Sequence, residues 1–132
     1  MMLNLIKSFC KDDSNEVVVI EKGRNSIFEI PHHVRLINSE EYNILSYDEL
    51  YGFISGVLAS NYDITHICID SIFKMCGCDF EKLANFIIKL NKKYDNSNID
   101  FVLSLSCGLD KLKSEFKKYE DNNFIKAILN AE

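Results

Sequence analysis

Two apolar runs in this chain end in residues with useful chemistry. His66-Ile67-Cys68-Ile69-Asp70-Ser71 reads as a short buried strand closed by a carboxylate, the form of a Walker B element. An aspartate in that place can hold a magnesium ion through water, because magnesium prefers carboxylates and keeps part of its hydration shell. Phe101 to Ser106 is a second run of the same kind. Ser104 or Ser106 at its end can hydrogen-bond an attacking water or a phosphate oxygen. Such an aspartate normally works with a phosphate loop, G-x-x-x-x-G-K-[ST], on an earlier strand. The glycines are Gly23, Gly52, Gly56, Gly77 and Gly108, and none precedes Lys-Ser or Lys-Thr. The cradle for a triphosphate is therefore absent from the sequence. The competing structural roles are strand-exit capping for Asp70 and local turn bonding for the serines.

Other groupings carry less. Residues 66, 68 and 70 share one side of a strand, so His66, Cys68 and Asp70 invite a metal reading, with His32-His33 as further ligands. Zinc sites usually show paired spacings such as C-x-x-C with a second pair downstream, and none is present. Cys76-Gly77-Cys78 is C-x-C rather than the C-x-x-C of redox dithiols. No serine, histidine and acid fall at a recognisable motif spacing.

The elements that must position these residues alternate. Leu3, Leu5, Ile6 and Phe9 form a helical apolar face. Val17 to Ile20 is a β-branched run, as expected of a strand covered on both faces. Val34 to Ile37 is a second strand, and Ile27 to Ile30 is ambiguous. Ser46-Tyr47-Asp48-Glu49 has the form of a capping box. The helix it opens carries Leu50, Phe53, Ile54, Val57 and Leu58 at helical spacing. Gly52 and Gly56 share one side of that helix at a cost of about 1 kcal/mol each against alanine, which predicts another backbone passing close. Ile64 to Ile69 is the third strand. Asp79 caps a helix with Leu83, Phe86, Ile87, Leu90 and Tyr94 on one face, and Asp110 caps a later charged helix. Phe124 to Leu129 fits either a last strand or a helical turn. The alternation predicts a single α/β domain over 1–132: a mainly parallel sheet with helices on both faces, joined by right-handed crossovers. Ligands of such sheets bind beyond the carboxyl ends of the strands, where Asp70, Ser71, Ser104, Ser106 and the Glu21-Lys22-Gly23 turn are expected.

A net charge of −5 disfavours nucleic acid and anionic membranes as partners. Lys111, Lys113, Lys117 and Lys118 are interleaved with Asp110, Glu115, Glu120 and Asp121, the pattern of a solvated helix face. No apolar run approaches the roughly 20 residues that span a bilayer, and the start lacks the features of a secretory signal. Five cysteines, an odd number mostly in apolar contexts, fit a reduced cytoplasmic protein.

The segments Tyr47 to Ala59, Asn61-Tyr62-Asp63-Ile64 and Ile67 to Lys74 resemble a family of short P-loop ATPase-like proteins of low-GC Gram-positive bacteria. That family often carries the label of twitching-motility (PilT-like) ATPase. The resemblance runs from about Leu3 to Tyr119. It implies a RecA-like core in which the phosphate-loop strand and its glycines would precede the helix beginning near Leu3. Of the implied nucleotide site, Asp70, with Ser71 beside it and Ser104 or Ser106 on the next strand, carries over, with Asp70 as the magnesium contact. The grip and its lysine do not. The resemblance thus implies a Walker A-less, non-hydrolysing binding or regulatory module without a cofactor of its own, its partner another protein or a second copy. The alternative is an ATP-binding protein that takes Mg-ATP only where further upstream chain supplies the loop. In RecA-like sheets the phosphate-loop strand lies beside the strand that is Phe101–Leu105 here. Its loss predicts that the tail Phe124–Leu129, or a second copy in a homodimer, covers that edge.

Overall fold

The computed structural model describes residues 2–106 and 125–129. The helix expected from Asp110 and the lysine cluster lie outside them. Five strands run parallel in the order β2-β1-β3-β4-β5. They are β1 (Val17–Glu21), β2 (Arg35–Asn38), β3 (His66–Ile69), β4 (Asp100–Leu105) and β5 (Ile125–Leu129). The helices are α1 (Met2–Phe9), α2 (Tyr47–Ser60), α3 (Ile72–Cys76) and α4 (Phe80–Tyr94). None of the described helices is long and apolar enough to cross a membrane.

Alternation along the strands sends side chains to two cores. Val18, Ile20, Ile67, Ile69, Phe101 and Leu103 face α2, α3 and α4, meeting Leu50, Ile54, Ile72 and Leu83. Val17, Val19, Cys68 and Val102 face the other way, onto Met2 and Ile6 of α1 and onto Ile30 and Val34 of the β1–β2 connection. The sheet is thus covered on both sides. The path from β1 to β2 runs in the opposite direction across the sheet from the later crossovers. A single crossover hand therefore puts it on the opposite face, which explains why the 22–34 segment packs with α1.

Local chemistry sets the helix ends. Ser46 Oγ accepts the Glu49 N–H at 3.1 Å, while Glu49 Oε1 accepts the Leu45 N–H at 3.2 Å, one residue earlier than an ideal capping box. Asp79 Oδ1 accepts the Lys82 N–H at 3.1 Å and opens α4 as expected. Ile27 to Ile30 forms turns rather than a strand, held by the Glu29 and Ile30 N–H groups donating to the Ser26 carbonyl. The helix α3 has no counterpart in the sequence reading, because five residues are too few to establish a period.

Two expectations about neighbours are resolved. The edge of β4 is covered by the tail: β5 pairs with it in parallel, Phe101 against Ile125 through Leu105 against Leu129. A dimer is not needed there. The glycine expectation is overturned. A Cβ built on Gly52 or Gly56 meets no heavy atom within 4 Å, so among the described residues no backbone passes close. Both glycines instead face an open groove. Gly52→Ala and Gly56→Ala should each raise stability by up to about 1 kcal/mol, read as a higher urea midpoint at unchanged slope; a lowered midpoint would show a contact the fold does not contain.

A candidate acidic site at the switch point of the sheet

The chain leaves β1 toward β2 on one side and later returns to place β3 on the other. The crevice beyond the carboxyl ends of β1 and β3 is therefore the topological switch point, the usual ligand position in open parallel sheets. Glu21 ends β1 and Asp70 follows β3. Ile20 pairs with Ile69, and Ile69 with Leu103. One residue further on, Glu21, Asp70 and Ser104 form a lateral row across three strands, all on the α1 face.

Each member of the row is held. Asp70 donates its N–H to the Ile20 carbonyl at 2.9 Å. Its Oδ1 accepts the Ser104 hydroxyl at 2.8 Å, and Ser71 Oγ lies 3.5 Å from the same oxygen. Ser104, with no solvent exposure, accepts the Ser71 N–H at 3.0 Å. Ser71 stands in the left-handed region at φ 55, ψ 57, a conformation that costs a residue with a Cβ about 1–2 kcal/mol. The bond to Ser104 and the Lys74 N–H donating to the Ser71 carbonyl at 3.0 Å hold it there. Glu21 is only 3% exposed and its Oε1 accepts the Ser26 N–H at 3.1 Å.

Glu21 and Asp70 line one cavity of about 170 Å³ with Ser26, Val19, Met2, Leu3 and Ile6. Met2 and Leu3 are the first turn of α1, which holds no acidic residue of its own. Backbone N–H groups and the helix dipole favour negative charge there, and the two carboxylates from the sheet supply it.

The sequence-derived residues thus divide. Asp70, Ser71 and Ser104 come together as a hydrogen-bonded cluster. Ser106 lies beyond the end of β4 and no contact joins it to them. Glu21 was legible only as part of an edge turn; a carboxylate closing a β-branched run was its signal, and parallel register was needed to set it beside Asp70. For a cation, Asp70 and Glu21 offer two carboxylates, and no group of three or more His, Cys, Asp or Glu side chains able to hold a metal occurs among the described residues. His66 instead stacks on Phe9 at 4.1 Å, and its Nδ1 lies 2.8 Å from Thr65 Oγ1. The thiols of Cys68 and Cys76 are pushed up to about 12, chiefly by burial, which leaves them protonated and poor ligands or nucleophiles. A larger cavity, about 850 Å³, opens at the amino ends of β3 and β4 between Leu58, Ile64, Tyr94 and Ile99, away from this chemistry.

The fold and the row together define an all-parallel α/β protein with an acidic crevice at its switch point. No protein-family model, curated protein or solved structure matches the chain.

Proposed function

We propose that this chain is a P-loop-NTPase-like, RecA-like domain that does not grip a nucleoside triphosphate by itself and acts as a binding or regulatory module. One observation carries the reading: Glu21 and Asp70 stand together at the amino end of α1, where a phosphate-binding protein would keep free amides and an ammonium. Two like charges a few ångströms from a polyanion repel it strongly in a half-buried crevice. With no glycine-lysine segment in the sequence, nothing offsets that repulsion. Asp70 and Ser104 satisfy one another, so the cluster serves as a structural clasp between β3 and β4. Hydrolysis with a loop supplied by further chain is the less supported reading, since a strand entering beside β4 must displace β5.

Isothermal titration of the purified chain with ATP and magnesium tests the proposal. No saturable binding tighter than about 1 mM is expected, and no phosphate release. Micromolar affinity or steady turnover would overturn it.

A further inference from the structure

We infer that the cavity at the amino ends of β3 and β4 binds a small zwitterion with an apolar body: an apolar amino acid, or a dipeptide carrying the same two charges. This cavity lies at the opposite end of the strands from the acidic row and does not depend on the nucleotide reading. Its volume is about 850 Å³. Small-molecule sites run from roughly 300 to 1,000 Å³.

The floor is apolar. Leu58 and Ile64 are buried, and Tyr94 and Ile99 are half-buried beside them. The Tyr94 hydroxyl donates to Ser55 Oγ at 3.1 Å and ties α4 to α2 behind that floor. Tyr62 stands at the rim, 94% exposed. Its ring is free to cover an apolar guest, and aromatic surface of that kind contributes most when water leaves it.

The charges select the guest. Among the described residues, Asp63 and Lys93 are the charged side chains that line the cavity. Asp63 follows α2 and Lys93 belongs to the last turn of α4, so they stand on facing walls. The acidic wall is reinforced, because α2 has no basic residue in its last turn and its carbonyl end adds partial negative charge. On the other wall the Tyr94 carbonyl accepts the Ser97 N–H at 3.0 Å and the Ser97 hydroxyl at 2.6 Å, and so does not need Lys93. No ion pair joins Asp63 to Lys93, or either of them to another described side chain. An acid and a base that face each other over an apolar floor without pairing match an ammonium and a carboxylate on one guest. A guest with one charge would leave the other wall unanswered.

Titration of the purified chain followed by amide NMR shifts is the test. The probes are L-phenylalanine and glycyl-phenylalanine, and whichever binds tighter gives the size of the guest. Saturable shifts at Tyr62, Lys93 and Ser97 are expected, with a Kd below about 1 mM. Phenethylamine and 3-phenylpropionate keep the ring with one charge each, and each should bind about tenfold more weakly. Asp63→Asn should weaken the zwitterion by about tenfold and leave 3-phenylpropionate no weaker; Lys93→Gln should do the same to the zwitterion and spare phenethylamine. Ala59 is an exposed lining residue, so Ala59→Trp should fill the cavity and abolish binding with the circular dichroism unchanged. No saturable shift from either probe at about 20 mM overturns the inference. So does a singly charged analogue that binds as tightly as the zwitterion, or binding indifferent to Ala59→Trp.

Discussion

Replacing Ser104 by alanine is expected to cost about 1–3 kcal/mol of stability, since the half-buried Asp70 and Ser71 each lose a hydrogen bond to a fully buried hydroxyl. The Ser104 hydroxyl, itself without solvent exposure, donates to Asp70 Oδ1 and accepts the Ser71 N–H. Removing it leaves Asp70 Oδ1 with the longer Ser71 Oγ contact at 3.5 Å and takes the partner from the Ser71 N–H. It also takes away one of the two bonds that hold Ser71 left-handed, so the Asp70–Ser71 corner should loosen with the strand contact. Ser106→Ala is the control. That residue is only partly buried and joins no part of the row, so its cost should stay within about 0.5 kcal/mol. Urea unfolding followed by circular dichroism reads both. Near-equal midpoints for Ser104→Ala and the unaltered chain would refute the clasp.

The second large effect is alkaline. Burial pushes the thiols of Cys68 and Cys76 up to about 12, from an ordinary 9.0. The Tyr47 hydroxyl is pushed up as well, first by burial and then by neighbouring thiols and Asp79; it donates to the Gly77 carbonyl at 2.6 Å. For all three the folded value lies above the unfolded one. The folded state therefore holds these protons more tightly, and the stability they lend is intact below about pH 9. For the two thiols it is lost as pH rises through about 12, and for Tyr47 at higher pH still. For Cys68, with no exposure, the loss across that window is on the order of 4 kcal/mol. Thermal melts from pH 8 to 11 should fall steadily above 9, and a flat profile would contradict the burial. The same protons slow thiol chemistry. At pH 8 the thiolate population of Cys76 is about a thousandfold below that of an ordinary thiol; the greater nucleophilicity of its thiolate returns part of this, leaving roughly fiftyfold. Cys78 is exposed and should be modified before Cys76 by a disulfide reagent. Equal rates at Cys76 and Cys78 would show that Cys76 is not shielded as the fold requires.

How far the chain could be read in advance differs by element. Strands β1, β3 and β4 were legible because residues buried on both faces form unbroken apolar runs. Helices α2 and α4 were legible because Ser46 and Asp79 mark their starts and long periodic faces follow. The turn helix α3 was not, since a single turn entered through a left-handed serine has neither cap nor period. The spacing of Gly52 and Gly56 predicts a close approach, and the fold leaves them in the open. A glycine pair reports that side chains are missing from a helix face, not what lies against it.

The candidate site follows the same division. Local sequence established that Asp70 and Ser104 would each stand at a strand end and that no glycine-lysine cradle was available, because strand ends and loop motifs are contiguous features. Only the tertiary structure decided that Glu21 joins them, that Ser106 does not, and that β5 rather than another copy borders β4. Those outcomes depend on strand order and register, which arise from contacts between residues dozens of positions apart and leave no periodic trace in any one segment.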